Sequence, residues 1–319
     1  MPGRSERKRA LMAQKETDKK TGSGTGKLAR NQRICAVLSV IPAALIIASV
    51  KAWPIIQTVW HSFTNWDGLY KNDFVGLANY RTFISTGLFS KLLGNSLFLL
   101  ISVPAQVLIG ILVAVLLYEK TAGWKAFRSI YYIPQIISLV ILGYLFKSMF
   151  SQNGPINQIL MLLGFIKTPV EWLAKGTTAL PVLTICITWY SVGWQVIMIL
   201  GGMSSIDPQV FEAAKIDGAN FFTRIFKIII PMISSTLTYC VVMSVVWTFT
   251  SLFSLIYSMT NGGPGYETMT LDYMVYARSF LKGDQFGFAC AVAVVLLIIV
   301  MIITFINLRI SKAAEKEWG

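Results

Sequence analysis

The sequence predicts an all-α integral membrane protein with six transmembrane helices. Its 319 residues are 55% hydrophobic and only 13% charged, whereas soluble domains carry roughly 25% charged residues. The apolar residues are gathered into six long runs, and the basic residues concentrate in alternate segments between those runs. A chain of this length has room for six spans of about 20 residues each, joined by modest loops.

Each of the six apolar runs is long enough to cross a bilayer as a helix. Five prolines fall in or near them, where kinks are tolerated if neighbouring helices satisfy the freed backbone groups. The resulting division is a tail at 1–33, a membrane domain at 34–310 and a second tail at 311–319. The runs are 34–56, 92–118, 129–150, 179–203, 233–257 and 285–308, and the prolines are Pro42, Pro54, Pro104, Pro134 and Pro181.

The distribution of Lys and Arg predicts the orientation of the chain. With both termini in the cytoplasm, the inner segments carry 19 basic and 9 acidic residues, and the outer segments carry 7 and 6. Cytoplasmic loops are the more basic ones in membrane proteins. Together with Lys51 and Lys147 near span ends, these segments account for the whole net charge of +13, so no nucleic-acid partner is needed to explain it.

The N-terminal segment 1–33 is strongly basic, and we expect it to be a disordered cytoplasmic tail next to membrane lipid. Its stretch 22–27 superficially resembles a phosphate-binding loop. That motif needs glycine where Thr21 stands and Ser or Thr where Leu28 stands. Its charged region is also too long for a cleavable signal peptide.

The chain carries no arrangement of residues that is typical of catalysis or metal binding. Its four cysteines all fall within spans without ligand-like spacing, and His61 is the lone histidine. All fifteen acidic residues lie outside the predicted spans, whereas ion-coupled carriers usually place ionisable groups along their pathway. We therefore expect a transport subunit that is not an enzyme. The alternative is a secondary transporter of a small neutral solute.

The segment 207–231 is a polar stretch between two apolar runs that is predicted to fold. Asp207 is placed to cap a helix whose first residue is a proline. Gly218 can end that helix in the left-handed conformation, and Asn220 can cap a second short helix that Pro231 closes. The pattern predicts a helix, a sharp turn and a helix.

This segment has no net charge, whereas a loop that only lies on anionic lipid would carry excess Lys and Arg. Its small residues permit close backbone approach, and its phenylalanines offer apolar anchors. We therefore expect a protein partner here, the alternative being a connector that folds against its own bundle. The small residues are Ala213, Ala214, Gly218 and Ala219, and the phenylalanines are Phe211, Phe221, Phe222 and Phe226.

Three motifs resemble a known family. The first is Glu-Ala-Ala at 212–214 followed by Asp-Gly-Ala at 217–219, which resembles the EAA loop of type I ABC importer membrane subunits. The others are Phe-Val-Gly-Leu-Ala-Asn-Tyr at 74–80 and Thr-Asn-Gly-Gly-Pro at 260–264. They resemble the family's carbohydrate-uptake branch, which includes the maltose-transporter permeases.

The resemblance implies specific partners for the chain. They are a second permease in a heterodimer, two ATP-binding subunits that hold ATP and Mg²⁺, and an extracytoplasmic solute-binding protein. This chain itself would hold no cofactor. The resemblance assigns coupling to the ATPases to Glu212, Ala213, Ala214, Asp217, Gly218 and Ala219, and contact with the binding protein to Gly262, Gly263 and Pro264.

A sugar needs amide or hydroxyl groups beside aromatic rings, because it presents both hydroxyls and apolar C–H faces. The fourth and fifth runs supply that mixture, and we expect them to line the substrate pathway. The alternative is that these aromatic residues only pack the bundle. The candidates are Tyr190, Trp194, Gln195, Tyr239 and Trp247, with Trp189 and Ser244 beside them.

The second outer segment, 151–178, is predicted to hold a short apolar helix over 156–166 that lies in the membrane interface. Trp172 follows as an interface anchor. No independent domain is expected in any outer segment.

Overall fold

The computed structural model describes residues 35, 38–119, 123–281, 283 and 285–318, with residues 128, 215, 308 and 310–318 as backbone alone. In this part of the chain the secondary structure is helical, apart from one antiparallel β-bridge between Thr64 and Phe74. The predicted tail at 1–33, with its glycine-rich stretch 22–27, lies outside the described residues. The chain divides into two compact units, Met1–Thr58 and Val59–Gly319.

Helix α1, Leu38–His61, is long and apolar enough to cross a membrane. It extends five residues beyond the predicted run. A π-helical stretch at Ala48–Ala52 lies just before Pro54, whose ring would meet the carbonyl of Val50 in a regular α-helix. The helix therefore continues through its proline instead of ending there.

The other helices, numbered in chain order, vary from six to 33 residues. They are α2 (Ala78–Ser85), α3 (Leu88–Leu99), α4 (Ser102–Tyr118), α5 (Trp124–Ile136), α6 (Leu139–Met149), α7 (Pro155–Leu162), α8 (Gly176–Met203), α9 (Pro208–Ile216), α10 (Phe221–Met232), α11 (Ser234–Thr250), α12 (Phe253–Met259), α13 (Leu271–Tyr276) and α14 (Phe286–Trp318).

Four helical segments in the described part of the chain are long and apolar enough to be spans by themselves: α1, α3 with α4, α8, and the Phe286–Asn307 part of α14. Two bent pairs meet the same test together. Helices α5 and α6 are bent by 98°, and α10 and α11 by 79°. The number of spans is six if each bent pair is counted as one.

The prediction of single helices over 129–150 and 233–257 was therefore wrong in detail. The first is broken where Ile137 and Ser138 adopt extended backbone, both with ψ of 135°, three residues after Pro134. The second is interrupted between α11 and α12. There the Asp272 carboxylate accepts the backbone N–H groups of Leu252 and Phe253 at 2.9 and 2.8 Å, which satisfies amides that a helix start leaves free.

Helix α8 lies at the centre of the second unit and packs against α3, α4, α5 and α11. Two of these contacts bring backbones very close. A Cβ on Gly193 would lie 2.2 Å from the carbonyl oxygen of Tyr131 on α5, and one on Gly110 of α4 would lie 2.8 Å from the Cβ of Gln195. One buried apolar cluster surrounds each half of α8.

The outer segment after α6 is held together by Asn157, which is fully buried. Its Oδ1 accepts the indole N–H of Trp172 at 2.9 Å, and the Trp172 ring packs against Phe150. Helix α7 ends four residues earlier than the stretch predicted at 156–166. Trp172 is half-buried and hydrogen-bonded inside its own segment, and its role as a membrane-interface anchor stays a prediction.

Candidate functional site

A cavity of about 190 Å³ lies among α4, α5, α8 and α11. Its walls combine amide and hydroxyl groups with aromatic rings. Among the described residues, no Lys, Arg, Asp or Glu lines it. The lining residues are Gln106, Gln135, Tyr190, Ser191, Trp194, Met243, Ser244 and Trp247.

The aromatic wall of the cavity is formed by α8 and α11 together. The rings of Tyr190 and Trp247 are stacked, with centroids 5.7 Å apart and planes within 16°. Tyr239 lies beside Trp194 at 6.3 Å but outside the lining, with 47% of its surface exposed. Trp189 packs against Phe146 instead, because one residue along a helix turns the side chain by about 100°.

The amide wall is built around Gln195, which is fully buried behind the lining. Its Nε2 donates to Ser244 Oγ at 2.7 Å and to Gln106 Oε1 at 3.5 Å. Three buried amide atoms have no hydrogen-bond partner among the described residues: Gln106 Nε2, Gln135 Oε1 and Gln195 Oε1. Native proteins leave few buried polar atoms unpaired, so this cluster is unusual.

Tyr190, Trp194, Ser244 and Trp247 were predicted to line a substrate pathway, and all four line this cavity. Gln106 and Gln135 line it as well but were not predicted. Both are uncharged amides within apolar runs. A buried amide is costly in such a place unless it is hydrogen-bonded. That cost is the signal that could have identified them.

The segment 207–231 adopts the predicted helix, turn and helix. The Asp207 carboxylate accepts the N–H of Gln209 at 2.9 Å, and Asn220 Oδ1 accepts that of Thr223 at 2.8 Å. Gly218 has φ of +74°. The second helix passes Pro231 and ends at Met232, because a π-helical stretch at Ile225–Ile229 precedes the proline.

The first helix of this segment, α9, has one face inside the chain and one face outside. Phe211 and Ala214 are buried, and Phe211 packs against Tyr118 with ring centroids 5.0 Å apart. Ala214 therefore faces its own bundle and is not available to a partner, unlike the prediction. Glu212, Ala213, Asp217 and Gly218 are exposed, Ala219 is half-buried, and Phe222 and Phe226 on α10 are 63% and 60% exposed.

The family of the chain follows from its similarity to known proteins. Residues 83–315 match the family described as binding-protein-dependent transport system inner membrane component. The chain belongs to this family. It is thus a multi-pass membrane subunit of a transport system, and the permease has relatives in several bacteria and in an archaeon.

Two relatives illustrate how far the similarity extends. The permease is 31% identical to the multiple sugar-binding transport system permease protein MsmF of Streptococcus mutans, over 82% of this chain and 90% of that protein. It is 30% identical to the lactose transport system permease protein LacF of Rhizobium radiobacter, over 86% and 93%.

Solved structures share the fold of the permease. A chain of a bacterial ABC transporter involved in the import of the acidic polysaccharide alginate superposes with a TM-score of 0.75 at 22% identity. The match covers 90% of the permease and 97% of that chain. A chain of the MetNI methionine ABC transporter matches with a TM-score of 0.50 at 18% identity. The architecture is therefore that of ABC importer membrane subunits.

The outer turn at 261–265 contains the three residues predicted to contact a binding protein. Gly262 is buried under the Tyr273 ring, whose hydroxyl donates to Asn261 Oδ1 at 2.6 Å. Burial raises the pKa of Tyr273 to about 12, so it remains a donor at neutral pH. Gly263 is half-buried and Pro264 is exposed. Gly262 therefore supports the turn and does not form its surface.

Proposed function

We propose that this chain is the membrane-spanning permease subunit of an ATP-driven, binding-protein-dependent importer that carries a carbohydrate, an oligosaccharide, into the cytoplasm. The observation that carries the proposal is the uncharged cavity at Gln106, Tyr190, Ser244 and Trp247. Amides and hydroxyls suit sugar hydroxyls, and the stacked rings suit the apolar C–H face of a sugar. An ionic solute would require a counter-charge in such a place.

The names of the relatives favour the same class of solute. They include permeases for multiple sugars, lactose and arabinooligosaccharides, the last at 25% identity over 90% of this chain. A solved relative of the fold carries alginate pentasaccharide on its periplasmic protein. These proteins support a carbohydrate without identifying the sugar for this chain.

The proposed partners are a second permease, two ATPase subunits that bind ATP and Mg²⁺, and an extracytoplasmic solute-binding protein. The exposed face of α9, with Glu212, Ala213 and Asp217, would contact an ATPase. Because Phe211 is anchored on Tyr118 at the end of α4, a displacement of α9 would be transmitted to the bundle as a rigid-body movement. The exposed tip of the outer turn, at Pro264, would face the binding protein.

The proposed orientation places both termini and Gly218 in the cytoplasm and Lys167 and Gly263 outside, in a prokaryotic cell membrane. In a cysteine-free background, an impermeant thiol reagent added to sealed cells should label single cysteines at 167 and 263 but not at 218. Labelling at 218 would reverse the orientation and remove the coupling role from α9.

The experiment that tests the function is purification of the permease with its natural partners, followed by uptake assays in a deletion strain. The panel should contain neutral oligosaccharides, uronate oligosaccharides, amino acids and peptides. Co-purification of an ATPase and loss of sugar uptake on deletion are the expected results. Lost uptake of a peptide or amino acid, with every sugar unaffected, would contradict the carbohydrate assignment and leave the importer fold standing.

A further inference from the structure

We propose that Gln106 and Gln135 bind the hydroxyl groups of one neutral sugar ring, and that Gln195 is a positioning residue that holds the Gln106 amide. This inference rests on the proposed function and deepens it. It identifies which side chains of the cavity hydrogen-bond to the solute, and to which chemical group of the solute they bond.

The cavity wall carries amide atoms that have no hydrogen-bond partner among the described residues. Gln106 lines the cavity, is 1% exposed, and its Nε2 donor has no partner among the described residues. Gln135 lines the same cavity from α5, and its Oε1 acceptor is equally unpaired. A buried polar atom without a partner costs free energy, and a ligand that pairs with it recovers that cost.

A hydroxyl group fits the two unpaired atoms of the cavity wall. The unpaired set contains one donor and one acceptor on the cavity wall, and a hydroxyl can both accept from the first and donate to the second. Since no charged side chain from the described part of the chain lines the cavity, a carboxylate or an ammonium group would be buried there without a counter-charge.

The Gln106 amide has a fixed position. Gln195 donates from one Nε2 to both Ser244 Oγ and Gln106 Oε1, so the oxygen end of the Gln106 amide is occupied. The donor end is the one left free. Gly110 makes this contact possible, because its missing side chain lets α4 approach Gln195 closely, one turn after Gln106.

The volume of the cavity limits the size of its ligand. The cavity volume of about 190 Å³ is below the roughly 300 Å³ at which sites for drug-sized ligands begin. It therefore suits a single ring. The stacked pair of Tyr190 and Trp247 provides the flat apolar wall beside that ring.

The test is a mutant cycle on the complete transporter, reconstituted with its own binding protein. The probes are the transported neutral oligosaccharide from the uptake panel and its monodeoxy analogues, one hydroxyl removed at a time. In the wild type, removal of the contacted hydroxyl should lower uptake about tenfold, as expected when one buried polar group is left unpaired. In Gln106→Leu and in Gln195→Leu the same analogue should be carried about as well as the parent sugar. Because the binding protein is unchanged, its own preference cancels in the comparison.

The control is Gln158→Leu, the same chemical change at an exposed residue of α7, which should keep the wild-type discrimination. If Gln106→Leu fails to assemble, Gln135→Leu provides the second measurement, since Gln135 is only half-buried. The inference would be overturned if removal of each sugar hydroxyl lowered uptake by the same factor in Gln106→Leu and Gln195→Leu as in the wild type. It would also be overturned by a wild type that carries only uronate oligosaccharides. In both cases sugar import, and with it the proposed function, would stand. A wild type that carries no sugar would instead defeat the proposed function.

Discussion

The guanidinium of Arg224 lies 2.7 Å from the carboxylate of Glu119, and this ion pair joins helix α10 to the end of α4. The side chains are 15% and 28% exposed. Arg224 Nε is buried and has no partner among the described residues. The Glu119 carboxylate therefore provides the compensating charge for the Arg224 guanidinium through the other end of that group. Helix α10 is therefore fastened to the bundle at its first turn.

Loss of this ion pair should destabilise the cytoplasmic end of the protein. We expect Glu119→Gln to lower the free energy of unfolding by about 1 kcal/mol, between the values for exposed and buried pairs. The measurement is the thermal midpoint of the purified transporter at low and high salt. Glu171→Gln, at an exposed position, is the matched control. An unchanged midpoint for Glu119→Gln would mean that the pair contributes nothing to stability.

The close contact between α8 and α5 predicts a strong effect of one methyl group. In Gly193→Ala the new Cβ would lie 2.2 Å from the Tyr131 carbonyl oxygen, and backbone cannot move aside without separating the helices. We expect a loss of about 3 kcal/mol, the upper range for overpacking. Gly201→Ala in the same helix is the control, because no atom lies within 4 Å of its Cβ and alanine favours a helix. Equal stability of the two variants would disprove the contact.

Substitutions at Gly218 test whether the turn in segment 207–231 has the proposed role in coupling. Its φ of +74° is unfavourable for a β-branched residue, while the space around it is open. Gly218→Val should therefore cost roughly 1–2 kcal/mol of backbone strain and reduce solute-stimulated ATPase activity. Gly218→Asn should retain that activity, since asparagine tolerates this conformation. If valine preserved full stimulation with normal membrane insertion, the turn would have no part in coupling.

Asp272 predicts both a mutational and a pH effect. Asp272→Ala would leave the N–H groups of Leu252 and Phe253 unpaired, at a cost of about 2 kcal/mol. In Asp272→Asn the amide oxygen can accept both N–H groups and the amide nitrogen can donate to the Thr270 hydroxyl, which contacts Asp272 in the wild type. This variant should be close to the wild type in stability.

The pH effect follows from desolvation, which raises the pKa of Asp272 above its usual 3.8 despite the hydrogen bonds that oppose the shift. The folded protein therefore holds this proton more tightly than the unfolded chain. The stabilisation that comes from this raised pKa is fully present below pH 3.8 and is lost as the pH rises through the folded value. The difference in thermal midpoint between wild type and Asp272→Asn should shift in that direction between acidic and neutral pH. A pH-independent difference would rule out the raised pKa.

The apolar spans and the segment 207–231 could be predicted because their signals are local. An apolar run predicts a span by its length, although length does not reveal the breaks inside 129–150 and 233–257. Asp207, Gly218 and Asn220 act on backbone groups within three or four residues, so their positions in the sequence are sufficient. The same reasoning fails at Pro231, since the π-helical stretch that carries the chain past the proline has no comparable sequence marker.

The amide cluster could not be predicted because it depends on packing between distant segments. Gln106, Gln135 and Gln195 come from three helices, and the sequence does not say which faces of those helices meet. The burial of Gly262, which was predicted to contact a binding protein, could not be predicted for the same reason. Its turn was predicted correctly, but its burial is due to Tyr273, eleven residues later.

The contact at Gly110 has a mechanical consequence for the cavity. Helices α4 and α8 approach closely there, because a Cβ on Gly110 would lie 2.8 Å from the Cβ of Gln195, so they have little room to come closer on this side of the cavity. Helices α5 and α11 carry Gln135 and Trp247 on other sides of the cavity. Both belong to bent pairs, and α11 is joined across its 79° bend to α10, the helix fastened by Glu119. A change in the angle at Ile233, between α10 and α11, would therefore displace Trp247 and alter the width of the cavity.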